Sequence, residues 1–165
     1  EHAIRKHCTV HHDEDPAFYK SLSAKVDALI SQHHEQWDLL AEKLAELRTE
    51  AAAGRQTGKN GMNREATTFF EHLAQIGFED GQIPASQLSV FKALMERMVE
   101  ILQETITSID FWTNADKQKR VRGMLKTEIS ATGIEELKSK RERMAVEVMK
   151  LAKNRHDALI RARQG

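Results

Sequence analysis

The sequence predicts an all-α fold: a single helical domain over residues 1–165, with about six or seven helices and no sheet. Three observations carry this. Only two prolines occur in 165 residues and aromatic residues make up 5%, while Ala, Leu, Glu, Lys and Arg are abundant. Apolar residues recur at three- and four-residue steps along most of the chain. No segment keeps the two-residue alternation of a half-buried strand, and no repeat is visible.

Residues 2–8 read as the end of a preceding helix, and residues 8–15 as a polar connector. Pro16 suits a helix N1 position, where its missing N–H costs nothing, and Asp15 is the natural N-cap. Phe18, Leu22, Val26, Ala28, Leu29 and Ile30 form an apolar stripe to about Gln32. A further helix spans 35–53, with Trp37, Leu40, Ala41, Leu44, Ala45 and Leu47 inward. His33 and His34 are weak breakers, so these two helices can also be continuous. Gly54 supplies a helix end with permitted positive φ. Residues 54–62 read as a mobile loop, rich in Gly, Asn and Thr.

Asn63 can cap the next helix, which buries Phe69, Phe70, Leu73 and Ile76. A second turn covers 77–84. The helix over 86–106 carries Leu88, Phe91, Leu94, Met95, Met98, Val99, Ile101 and Leu102. Phe111 and Trp112 then sit side by side as a structural anchor before a basic helix. Thr113 is its expected N-cap, with Asp116 three residues later as a weaker capping box. In that helix Val121, Met124 and Leu125 mark an apolar face, Lys119, Arg122 and Lys126 a separate basic one, and Arg120 flanks the core opposite. After Gly133 a last long helix is expected over 134–162, with Leu137, Met144, Val148, Leu151, Ala152 and Leu159 inward.

The net charge of zero hides a polarity. Residues 1–110 hold 11 Lys+Arg against 18 Asp+Glu, a net of −7, and residues 111–165 hold 14 against 7, a net of +7. Such asymmetry hints at a polyanionic partner, but charge alone favours a solvated helical surface or pairing between the two parts. The single cysteine, Cys8, has no internal disulfide partner, which fits a reducing, cytoplasmic setting. No apolar run reaches membrane-spanning length. The chain opens on Glu1 with Ile4 already in helical context, and so reads as a piece of a longer protein.

Catalytic signatures are not found. Gly54-Arg-Gln-Thr-Gly58-Lys59-Asn60 has three residues between its glycines, where a phosphate-binding loop has four, and Asn where that loop needs Ser or Thr. Glu136-Leu-Lys138 has the Glu-x-Lys form of metal-dependent nucleases but no second carboxylate on a strand. His11-His12 and His33-His34 are adjacent pairs whose side chains diverge, and no metal site or enzymatic activity is expected. Met95, Met98, Met144 and Met149 read as core filler.

Ile109-Asp-Phe-Trp112 followed by Asp116-Lys-Gln-Lys-Arg-Val-Arg122 resembles the far C-terminal region of the motor (R) subunit of type I restriction enzymes. Glu1-His-Ala-Ile-Arg-Lys-His7, and Asp13-Glu-Asp-Pro16 with Phe18-Tyr19 and Leu22-Ser23, resemble segments of the same region in the same order. The resemblance covers about residues 1–126. It implies a parent that translocates and cleaves DNA using ATP and Mg²⁺, with motor and nuclease parts outside this segment. It also implies a helical region that docks on the methyltransferase (M) subunit, and assigns no cofactor or catalytic residue here.

The resulting expectation is a non-catalytic assembly domain with sequence-independent contact to the double-stranded DNA backbone. Its candidate phosphate contacts are Lys117, Lys119, Arg120, Arg122, Lys126, Lys138, Arg141, Arg155, Arg161 and Arg163. Gly123, in mid-helix, would let a phosphate or a partner backbone approach, or else is a tolerated glycine or reflects close helix packing. The alternative is a docking module that meets protein alone.

Overall fold

A computed structural model describes residues 1–164. Nine α-helices are present among them, and no strand. In chain order they are α1 His2–His11, α2 Pro16–His33, α3 Trp37–Ala53, α4 Arg64–Gly77, α5 Leu88–Thr105, α6 Ala115–Ala131, α7 Glu135–Lys138, α8 Arg141–Asn154 and α9 His156–Gln164. They fall into two compact units that meet in sequence between Thr57 and Gly58. That boundary lies in the glycine-rich loop.

The first unit packs α1, α2 and α3 pairwise. Its core is Ile4, Cys8, Tyr19, Leu22, Val26, Leu47 and Ala51. The expected polar connector is shorter than the sequence suggests. Helix α1 runs on to His11, which buries Cys8 at 3% exposure, and a 3₁₀ turn over His12–Glu14 completes the link. Asp15 caps α2 by accepting a hydrogen bond from Phe18 N at 3.3 Å, with Pro16 at N1. The chain breaks at 34–36, so α2 and α3 are separate.

In α3, Leu40, Leu47 and Ala51 are buried. Trp37 is 73% exposed, and Ala41 and Ala45 are also exposed, as is Ala28 on α2. The inward assignment of these four is corrected for a simple reason. On α3 the three residues stand to one side of the strip of Leu40, Leu44, Leu47 and Ala51, and on α2 Ala28 lies off the buried Leu22 and Val26 stripe. Gly54 ends α3 at φ +68°, and its amide donates to Glu50 O and Ala51 O.

One buried ion pair closes this unit. Arg55 Nε donates to Asp15 Oδ2 at 2.7 Å and Nη2 to Oδ1 at 3.2 Å, with both side chains no more than 5% exposed. The guanidinium also lies 5.5 Å from the Phe18 ring centroid. A single carboxylate therefore caps a helix and anchors the loop beyond α3.

The second unit has a larger core. Phe69 and Leu73 of α4, Phe91, Met95, Met98 and Leu102 of α5, Leu125 and Ile129 of α6, and Met144 and Val148 of α8 are essentially inaccessible. Asn63 caps α4 through Oδ1, which accepts from Ala66 N at 2.8 Å. Gly77 belongs to α4, ahead of the expected turn, and packs closely against α7. A Cβ at this position would lie 2.7 Å from Leu137 Cδ2. Leu88 is 37% exposed, at the start of α5.

The expected long helix over 134–162 is divided into α7, α8 and α9. Two long-range contacts hold the breaks. Lys140 Nζ donates to Gly77 O at 2.7 Å between α7 and α8. Arg155, between α8 and α9, pairs with Glu65 through Nε at 2.9 Å and Nη2 at 2.8 Å. No helix among the described residues is long and apolar enough to cross a membrane.

Replacing Arg55 with Met leaves the buried Asp15 carboxylate without its main countercharge. Such a loss costs about 3–5 kcal/mol. The first transition in a urea titration followed by circular dichroism should move to clearly lower denaturant. An unmoved transition would show that the pair contributes nothing to this unit.

Candidate nucleic-acid interface

The chain reverses between α5 and α6 around two aromatic side chains. Phe111 is 1% exposed, and Trp112 packs edge-on against it with ring centroids 4.8 Å apart. Trp112 Nε1 donates to His156 Nδ1 at 3.0 Å, tying this turn to the start of α9. Phe111 and Trp112 thus hold the anchoring position that their sequence neighbourhood suggests.

The cap of α6 is one residue later than expected. Asn114 Oδ1 accepts from Lys117 N at 3.1 Å. Thr113 instead closes a 3₁₀ turn over Phe111–Thr113, with its hydroxyl donating to Asp110 O at 3.0 Å. Both residue types can cap a helix, and the extra turn decides between them.

Asp110 gathers the remaining donors of this turn. Its carboxylate takes hydrogen bonds from Lys117 Nζ, Ser108 Oγ and Asn114 Nδ2. Lys117 first, then Ser108 and Asn114, hold the Asp110 carboxyl well below the usual carboxylate range. Lys117 is therefore engaged within its own turn.

On α6 the buried stripe is Val121, Leu125 and Ile129, in steps of four. Met124 is 38% exposed, which corrects its place in the apolar face. One step of three from Val121 rotates it past the edge of that stripe. Lys119 and Arg120 are exposed, and neither has an ion-pair partner among the described residues. Arg122 and Lys126 are half-buried on the ridge they share with Lys119. A Cβ on Gly123 would meet nothing within 4 Å. Close helix packing is therefore not why a glycine stands there.

Lys126 reaches α8, where its Nζ lies 2.8 Å from Glu142 Oε2. The Glu142 carboxyl is held below its ordinary range by that hydrogen bond and charge, with smaller contributions from Arg122 and Arg141. Arg141 Nη1 also donates to Ser130 Oγ on α6, at 3.4 Å. Lys119, Arg122, Lys126 and Arg141 thus form one connected positive area.

The other candidates are elsewhere. Arg155 is a structural residue, about 10% exposed and bound to Glu65. Lys138 pairs with Glu135 on α7. Arg161 and Arg163 lie on α9 and donate to the carbonyls of Asp157 and Gln103 at 3.3 and 2.9 Å. Arg143 and Lys153, not among the residues expected from sequence, are exposed on α8 and also lack ion-pair partners among the described residues. Their signal was their position opposite the Met144–Val148 stripe. Among the described residues no group of three or more His, Cys, Asp or Glu is arranged to hold a metal ion.

No protein-family model, curated protein or solved structure matches this chain.

A depressed carboxyl stabilises the folded chain above its unfolded pKa, near 4, and that stabilisation is lost as acid titrates the folded group. Asp110→Asn should therefore lower the urea midpoint at pH 6. The gap to the parent chain should narrow progressively as pH falls below about 4. A gap independent of pH would assign the effect to lost hydrogen-bond geometry rather than to charge.

Proposed function

We propose that this chain is a non-catalytic helical module that docks within a DNA-processing assembly and touches duplex phosphates through the exposed face of α6. The observation that carries this is local. Five of the twelve residues from Asp116 to Thr127 are Lys or Arg, and Lys119 and Arg120 are exposed without carboxylate partners among the described residues. Lysine and arginine in such a setting exchange their counterions for phosphate and carry no sequence information. The open space beside Gly123 leaves the α6 backbone approachable on its outer side.

The sequence resemblance to the C-terminal region of type I restriction motor subunits supplies the assembly. Its methyltransferase subunit is the proposed protein partner. ATP-driven translocation and cleavage belong, on this reading, to other parts of the parent. Helices α7–α9 contribute Leu137, Met144, Val148 and Leu159 to the core, so their removal would unfold the unit. Surface substitutions are the sound way to separate roles.

A second reading, a docking module without DNA contact, is favoured by one specific pattern. Lys117, Lys126, Lys138 and Arg155 already meet carboxylates of their own chain. Under that reading the residual cations meet an acidic protein surface.

The double reversal Lys119→Glu/Arg122→Glu separates the two. Under the DNA reading, retardation of a duplex on a gel is lost, helicity is unchanged, and the slope of log K against log salt becomes shallower by about 2. Unchanged retardation would remove α6 from the interface. Loss of methyltransferase-subunit capture alone, with DNA binding intact, would favour the protein-only reading.

A further inference from the structure

We propose that Arg122, Lys126 and Arg141 form an anion subsite for one backbone phosphate of duplex DNA, and that Glu142 fills this subsite when DNA is absent. The inference rests on the reading of α6 as a DNA-contacting helix, and adds to it a specific place and an internal competitor.

One cation contacts the Glu142 carboxylate, and two more lie near enough for their charge to act on it. Lys126 Nζ contacts Glu142 Oε2 at 2.8 Å. Arg122 lies one turn before Lys126 on the same ridge, and its charge acts on Glu142. Arg141 precedes Glu142, acts on it in the same way, and is tied to α6 through Ser130 Oγ at 3.4 Å. No other carboxylate among the described residues forms an ion pair with Arg122, Lys126 or Arg141. The group therefore carries a local excess of positive charge.

The position also suits an anion for a reason independent of the side chains. Helix α8 starts at Arg141, and no side chain caps it. Negative charge in its first turn, where Glu142 stands, is favoured by the helix dipole. A phosphodiester bears the same single charge as a carboxylate and offers two acceptor oxygens. It can take the place of the Glu142 carboxylate without any change in the fold.

That exchange is physically accessible. The Glu142 side chain is 64% exposed and that of Lys126 36%. An ion pair this open to water contributes little to stability. Glu142 can swing into solvent while Lys126 and Arg122 turn to phosphate. Lys119, one turn further along the ridge, extends the contact to a neighbouring phosphate. The carboxylate acts as a phosphate mimic that moderates affinity, because any bound DNA must displace it and remain near its charge.

The experiment is a fluorescence-anisotropy titration of the full chain with a short random duplex, over a range of salt, for the parent chain and Glu142→Gln. Glu142→Gln should bind about three- to tenfold more tightly near 0.1 M salt, with a slope of log K against log salt steeper by up to about 1. Lys126→Met should then lose more affinity in the Glu142→Gln background than in the parent, since only there is Lys126 free of its internal partner. Circular dichroism should be the same for all variants. If the parent binds and Glu142→Gln binds no more tightly, the subsite is overturned while the α6 interface stands. If neither binds at low salt, both are overturned.

Discussion

Each unit of this chain is closed by one buried arginine gripping one carboxylate at a helix start. Asp15 is the N-cap of α2 and holds Arg55, and Glu65 lies in the first turn of α4 and holds Arg155. The carboxylate sits where the helix dipole already favours negative charge, so part of its desolvation is offset before the arginine arrives. The guanidinium, with several fixed donors, then satisfies both oxygens. Buried pairs of this kind contribute more to choosing one arrangement than to net stability. Here the choice is visible: Arg55 sets the exit of α3, and Arg155 turns the chain between α8 and α9.

The same pairing logic redistributes the charge that composition suggests. The basic part of the sequence carries a net of +7, yet a good share of its cations are committed within the fold. Arg155 is buried, Lys117 ties the aromatic turn together through Asp110, and Lys140 seals the end of α4. Among the described residues of that part, the cations that face water without an ion-pair partner are Lys119 and Arg120 on α6, Arg141, Arg143 and Lys153 on α8, and Arg161 and Arg163 on α9. A long-range field from net charge and a contact surface from unpaired cations are different quantities, and only the second can organise a phosphate backbone.

The all-α class was legible because periodicity, caps and glycines all agreed. Asp15, Asn63 and Gly54 perform the roles their residue types suggest, and Met95, Met98 and Met144 fill the core. Three features were hidden for physical reasons. A helix start flanked by Thr113 and Asn114 offers two caps, and only the preceding 3₁₀ turn selects one. Trp37, Ala41 and Ala45 adjoin the buried strip of α3 in helical projection, so periodicity alone does not place the edge of that strip. The divisions of the last helix depend on Gly77 and Glu65, which lie some sixty to ninety residues away in sequence. On α6 the ridge of Lys119, Arg122 and Lys126 followed from spacing alone, but its meeting with Glu142 required the packing of α6 against α8.

Cys8 is the sequence's sole cysteine and is sealed inside the first unit. A thiol reagent can therefore react with this sequence at one atom only, and local opening of the first unit, where Cys8 is 3% exposed, speeds that reaction. Its modification rate is a clock for the opening of that unit, blind to motions in the unit that carries α6.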